Sequence, residues 1–371
     1  MSFMKYFMLE NGKISNKQMI LIFVICRLML TMAYLPYVNS PPWNQDLWIS
    51  AILSFPLHII LILPVYALAM RFSKLSLIQS IEVILGPCGK ILGAMYVWFF
   101  LHRTSIILRE LGEFLTAVPY PETPIIVFIA VTALFAAYAV YQGLETICTL
   151  GEIIAPVILA SVVLVFVMIA KDLDLSNLQP VLEDGLAPVL YGAFVIAART
   201  TLGLFLWILI PFINESGKIR NSLLIIFLIF ALHLSPSAIV TIGVFGLEQA
   251  KSLDFPFFHV VRMISIGDFL ERIDALFVGF WVIGMFIDIS THYYLAVLTG
   301  ADLLKLKDYR PIVLAMGTVM VSLSMFLADS MVDLNEFLSY KTLTWYNLLF
   351  TFAIPLLLLL VAVVGKKRVD Y

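Results

Sequence analysis

Charge is scarce in this chain. Asp, Glu, Lys and Arg together make up 13% of its 371 residues, where a soluble domain usually carries about 25%. No sign predominates either: 23 Lys and Arg stand against 25 Asp and Glu. That balance leaves no basic footprint for a nucleic acid. Cysteine is nearly absent too, and Cys26, Cys88 and Cys148 sit in apolar stretches without the paired spacing of a disulfide framework or a zinc site. Also missing are a nucleophile elbow, a His-Glu-x-x-His pair and a Gly-rich phosphate loop with its lysine, so no enzyme, cofactor or metal is expected. What the chain has in excess is hydrocarbon: 62% of its residues are hydrophobic and the mean hydropathy is +1.01. It reads as a polytopic membrane protein.

A helix needs about 20 apolar residues to cross the hydrocarbon, and ten such runs are expected, at about 14–37, 47–70, 90–118, 123–142, 145–170, 186–213, 221–246, 270–300, 309–328 and 342–364. Ser40-Pro41-Pro42, Pro119 to Pro124 and Arg310-Pro311 punctuate them, whereas almost nothing joins the fourth to the fifth at Tyr141-Gln142-Gly143-Leu144. Two shorter apolar segments, Ser76 to Leu85 before Gly86-Pro87 and Pro256 to Ile266 before Gly267-Asp268, read as interfacial helices. Trp43 and Trp48 read as belt anchors. With the N-terminus inside, 14 of the Lys and Arg residues fall on cytoplasmic segments and five outside, a bias that favours an even number of spans and two cytoplasmic termini. No cleavable leader is expected, because Met1 to Lys17 is polar.

Ten spans divide into five plus five within one transmembrane domain, with repeat one at about 14–170 and repeat two at about 186–364. Leu35-Pro36-Tyr37-Val38-Asn39 and Ile210-Pro211-Phe212-Ile213-Asn214 end the first and sixth spans alike, 175 residues apart, and each has an arginine upstream, Arg27 or Arg199. Ala197-Ala198-Arg199-Thr200-Thr201-Leu202-Gly203 carries the small and hydroxylated residues of a broken helix. The first span offers only Thr31 and Ala33 between Arg27 and Pro36.

Charges inside the membrane cost at least about 2.5–3.5 kcal/mol each, so each needs a partner or a polar cavity. Arg27, Arg103 and Arg199 come out near mid-depth, with Glu110, Glu113, Glu145, Glu152 and Asp288 as counter-charges. Arg109 and Glu113 are four apart and can pair on one helix face, while Arg103 and Glu110 share another, and Gly284, Asp288 and His292 a third. Two readings stand: ion pairs that only lock helices together, or a polar cavity for a small ligand or ion. His58, His102 and His233, each alone in an apolar helix, read as hydrogen-bonded structure.

In order and spacing the chain resembles the spore germinant-receptor B subunit family, the endospore germination permeases of the amino acid–polyamine–organocation superfamily. The residues that carry the resemblance are Ile14-Ser15-Asn16-Lys17-Gln18, Tyr34-Leu35-Pro36 and Gly143-Leu144-Glu145-Thr146-Ile147 with Gly151-Glu152-Ile153 and Pro156; after them come Gly185 to Gly192, and Arg262 to Ala275 before Trp281. The resemblance implies a ten-helix bundle of the LeuT type, with two inverted five-helix repeats and broken helices one and six. It implies a place in the inner membrane of a bacterial spore beside an A-type and a lipoprotein C-type subunit. The implied role is to sense a small nutrient, an amino acid or a sugar, and to start ion release.

Carried over, the ligand site falls on Thr31, Met32, Ala33 and Tyr34 in span one and Ala198, Arg199, Thr200, Thr201 and Gly203 in span six, with Arg103 and Ile107 in span three and Gly284 and Asp288 in span eight. The usual glycines of span one are replaced by Arg27-Leu28-Met29-Leu30-Thr31. An arginine could then hold a ligand carboxylate, or fill the place of a sodium ion. The competing functions are a proton- or sodium-coupled amino acid permease, with Asp288, Glu152 or His292 titrating, and a membrane scaffold with a vestigial pocket.

Overall fold

A computed structural model of the chain describes residue 9 and residues 12–34, 44–264 and 273–367. Among these there is no strand, and the one extended pairing is an isolated parallel bridge between Ile14 and Ile213. The polypeptide is otherwise a bundle of helices, because in apolar runs this long the backbone can satisfy its own hydrogen bonds only by coiling. In order these are α1 (Asn16–Tyr34), α2 (Leu47–Arg71), α3 (Leu77–Leu85), α4 (Gly89–Ala117), α5 (Ile125–Gln142), α6 (Leu144–Ile169), α7 (Leu186–Ala198) and α8 (Leu202–Leu209). There follow α9 (Ile219–Phe245), α10 (Leu247–Ser252), α11 (Pro256–Met263), α12 (Ile273–Leu303), α13 (Val313–Phe326), α14 (Met331–Leu338), α15 (Leu343–Leu348) and α16 (Ile354–Val364).

Among the described residues, eight helical stretches are long and apolar enough to cross a membrane, and Arg310–Phe326 is a shorter apolar helix. The chain is a multi-pass membrane protein. Every expected span has helix at its position, and the two expected interfacial segments are the short helices α3 and α11. Ser76 starts α3 with a capping box, its hydroxyl taking the Gln79 N–H while the Gln79 side chain takes the Ser76 N–H. Gly143, at φ +100°, turns the chain from α5 straight into α6, a conformation closed to most side chains. Leu35–Asn39, Ser40-Pro41-Pro42, Trp43 and most of the Arg262–Ala275 pattern lie outside the described residues.

The sixth expected span is two helices. α7 stops at Ala198, Arg199 and Thr200 leave the helix, and α8 resumes at Leu202. Of the most apolar part of Leu186–Phe212, 89% is buried inside the protein, against 28% for Leu144–Asp172. The interrupted helix is therefore interior and its loosened backbone never faces lipid. By contrast α1 runs unbroken from Asn16 to Tyr34, and the rest of the expected first span lies outside the described residues. No glycine is present in α1 to release the ladder.

Packing follows the burial. α1 sits inside the bundle against α6, α9 and α12, while α2 lies along α7 and α9, and α4 along α12 and α13. Small residues set the closest approaches: a Cβ on Gly284 of α12 would run into the thioether of Met29 on α1. Trp281 of α12 also donates its indole N–H to the Met29 carbonyl at 3.3 Å. Near Ile14, Ile14 N–H donates to Phe212 O at 2.9 Å and Asn214 N–H to Ile14 O at 3.0 Å. The start of α1 is thereby tied to the end of the broken helix.

Candidate functional site

The break between α7 and α8 opens backbone groups, and two side chains from other helices close on them. Asn347 of α15 donates its amide to the Arg199 carbonyl at 3.0 Å, and Arg27 of α1 donates Nη2 to the Ile196 carbonyl at 3.4 Å. Arg199 itself donates Nη2 to the Leu338 carbonyl at the end of α14, at 2.7 Å. His58 of α2 donates Nδ1–H to the Ser54 carbonyl (2.8 Å), so its Nε2 is the acceptor for the Thr200 hydroxyl at 2.9 Å. That ring is stacked on Phe227 of α9, centroids 5.0 Å apart. His58 thus belongs to the break, as a positioning group for Thr200.

Behind the break lies a cavity whose walls come from four places in the sequence. α1 supplies Cys26, Arg27 and Met29; α4 supplies Arg103, Ile107 and Glu110; the break supplies Arg199, Thr200, Thr201 and Leu202; α12 supplies Met285, Asp288 and His292. Its charged walls are deeply buried, with Arg27, Arg103, Arg199, Glu110 and Asp288 each 6% exposed or less. Asp288 Oδ1 stands 2.8 Å from His292 Nδ1, one helical turn on. The space open to the centre of a water molecule is about 20 Å³, where one water needs roughly 10–15 Å³. As it stands the cavity holds a water or two and not an amino acid, so it is closed on its contents. A ligand of that size has to spread α1, α4 and α12 away from the break.

Of the residues expected at the ligand site, Arg103, Ile107, Arg199, Thr200, Thr201 and Asp288 meet here. Three expected residues do other work. Ala198 is buried in the last turn of α7, Gly203 lies under Ile62 and Val65 of α2 beside a smaller hollow lined by His58, and Gly284 makes room for Met29. Thr31, Met32, Ala33 and Tyr34 fall in the last turns of α1, and their side chains lie outside the described residues.

The expected charge network divides. Arg27 and Glu110 wall the cavity. Arg109 instead holds Glu113, Nε and Nη2 each 2.7 Å from Oε1, and turns Nη1 toward the Ser324 and Met325 carbonyls of α13, both at 3.4 Å. That pair ties α4 to α13. Glu145 and Glu152, also expected in that network, meet other partners: Glu145 accepts the Lys13 backbone N–H at 2.8 Å, and Glu152 pairs with Lys17 Nζ at 2.8 Å. They bind the start of α1, about ten residues or roughly 15 Å along the helix before Arg27. No group of three or more His, Cys, Asp or Glu side chains that could hold a metal occurs among the described residues.

Sequence reasoning missed Cys26, Met29, Leu202 and Met285 as cavity walls, and Asn347 as the group that holds the break. It also missed the π-helical turn Leu349–Ala353 between α15 and α16. Pro355, which has no N–H to give to the carbonyl four residues back, was the signal for that irregularity.

A solved structure shares this fold. The chain superposes on Mhp1, a nucleobase-cation-symport-1 family transporter in a closed conformation with bromovinylhydantoin bound, with a TM-score of 0.62 over 91% of this chain and 77% of that one at 12% identity. The fold is that of a membrane transporter. A family profile described as spore germination protein matches residues 13–332, and the chain belongs to that family. Its curated relatives include spore germination protein KB of Bacillus subtilis (strain 168), 26% identical over 366 residues and 97% of each chain. Spore germination protein A2 of the same organism is 24% identical, with 92% of this chain and 91% of that one covered.

Proposed function

We propose that this chain is the nutrient-sensing subunit of a spore germination receptor. It binds a small amino acid or sugar in the cavity behind the α7–α8 break and so shifts the bundle between two states. The observation that carries the reading is the cavity itself: a closed, charged hollow at a helix break, walled by α1, α4 and α12, in a member of the spore germination family. A ligand moves such an equilibrium only by binding the two states unequally. Arg27 of α1 both walls the cavity and holds the Ile196 carbonyl, and Asn347 of α15 holds the Arg199 carbonyl, so a ligand that spreads the walls also strains these ties.

The bundle has ten spans in two inverted five-helix repeats, with both termini on the cytoplasmic side. The gathering of basic residues at one end supports that orientation: Arg71 donates to the Lys367 carbonyl at 2.7 Å, Lys13 Nζ to the Pro211 carbonyl at 2.8 Å, and Lys305 Nζ lies 3.5 Å from Glu82. The receptor sits in the spore inner membrane with an A-type and a lipoprotein C-type subunit, and nutrient binding triggers ion release by the assembly.

The fold shared with a transporter keeps one alternative in play, a coupled amino acid permease. Binding and flux measured together on the purified chain in liposomes, over a panel of amino acids and sugars, separate the two. A sensor binds saturably without uptake, whereas sustained ligand-dependent uptake makes the chain a permease. Absence of binding to either class of nutrient counts against both.

A further inference from the structure

Among the described residues, the cavity walls carry more fixed positive charge than negative. Three guanidiniums, Arg27, Arg103 and Arg199, face it, and only two carboxylates, Glu110 and Asp288. Arginine does not give up its proton in a protein, while a carboxylate can take one. The net charge therefore stays positive in every protonation state, and the contact of Asp288 with His292 adds no negative charge. A buried positive excess in a membrane interior is costly unless an anion joins it.

Arg103 differs from the other two in giving no hydrogen bond to a main-chain carbonyl among the described residues. Arg27 and Arg199 each give an Nη2 to a main-chain carbonyl. Arg103 is 4% exposed, and its Nε and Nη1 meet no acceptor among the described residues. A buried guanidinium with two donors unused is set for an oxyanion, with which its hydrogen bonds are charge-assisted. Ile107 stands one turn further along α4, and Thr200 and Thr201 line the cavity from the break.

We propose that the cavity is an anion site and that its ligand is a small carboxylate, held by Arg103 and flanked by Arg27 and Arg199. The inference rests on the reading of this cavity as the ligand site, and narrows the nutrient to the amino-acid class over uncharged sugars. An alkali cation has no place among three fixed positive charges, so binding requires no sodium.

The test uses probes matched in shape and different in charge. Formate, which is close to the size of the cavity as it stands, is compared with formamide at constant ionic strength, by the thermal unfolding midpoint of the purified full chain. Each amino acid that binds is compared with its primary amide. The expected result is saturable stabilisation by formate and none by formamide. Amides should bind about tenfold more weakly or worse, and potassium in place of sodium should change nothing. Arg103→Met should abolish the formate effect, and Lys171→Met, outside the cavity, should keep it.

Equal effects of formate and formamide on the wild-type chain would overturn the proposal, as would no effect of either, whether or not Arg103→Met folds. Ile107→Trp, which fills the cavity, keeps the two readings apart. Sugar or amide binding that is lost in Ile107→Trp leaves the cavity as the ligand site and overturns the anion assignment. Nutrient binding undiminished in Ile107→Trp overturns the cavity itself.

Discussion

Two buried arginines, Arg109 and Arg199, illustrate how differently one residue type is used. Arg109 has a carboxylate one turn away and two carbonyls across the helix interface, so its charge is spent on tying α4 to α13. Arg199 has no such carboxylate on its own helix; it holds the Leu338 carbonyl and has its own carbonyl held by Asn347, at the edge of the cavity. Arg199→Ala should therefore lower ligand affinity tenfold or more with a modest loss of stability. Arg109→Ala should leave affinity within about threefold and lower stability by about 3–5 kcal/mol, because Glu113 is left buried without its partner. Binding titrations and thermal unfolding of the two variants, side by side, check this. The reverse order of affinities would put the ligand elsewhere. At this scale much of the site is legible in the sequence: a seven-residue spacing brings Arg103 and Glu110 to one face, and both line the cavity. Gly284 was not legible, since its reason is Met29, which lies on another helix 255 residues earlier.

Among the elements, the broken helix α7–α8 is where sequence and structure agree best. Arg199, Thr200 and Thr201 are poor at holding a helix together when their side chains bond elsewhere, and the hydroxyl of Thr200 indeed goes to His58. α1 is the counter-example: Arg27 to Tyr34 holds no glycine or proline, so nothing interrupts its ladder. The partners of Glu145 and Glu152 were not legible in the sequence, because they depend on the start of α1 lying alongside α6, which brings Lys13 and Lys17 to them. The break depends on Asn347, which is fully buried. Asn347→Leu would leave the Arg199 carbonyl without that donor, at a cost of about 1–3 kcal/mol. The expected outcome is a lower unfolding midpoint together with weaker nutrient binding, measured on the same preparation. A variant as stable as wild type with unchanged binding would mean that α15 does not hold the break.

Seen whole, the molecule is a transporter-like bundle around a charged hollow. The proposed orientation puts both termini on one side, with Arg71 tied to the Lys367 carbonyl and Lys13 to the Pro211 carbonyl. Cys88, exposed at the corner between α3 and α4, should therefore react with a membrane-impermeant maleimide only from the side that also exposes a tag on the N-terminus. Labelling in sealed vesicles of both orientations reads this out, and labelling from the opposite side would contradict the orientation. The fold class was open to reading from hydrophobic runs alone, since length and apolarity dictate helices that cross. The closed state was not, because it depends on how four separated segments meet.

The most direct measurement of the central claim uses a residue the cavity already contains. Cys26 lines it, while Cys148 is buried elsewhere on α6. In a chain carrying Cys88→Ser and Cys148→Ser, a small thiol reagent reaches Cys26 only when the bundle opens. Bound nutrient should slow that modification in proportion to occupancy, and modified protein should no longer bind nutrient. Saturable nutrient binding that leaves the modification rate of Cys26 unchanged, and that survives complete modification, would contradict the placement of the ligand behind the α7–α8 break.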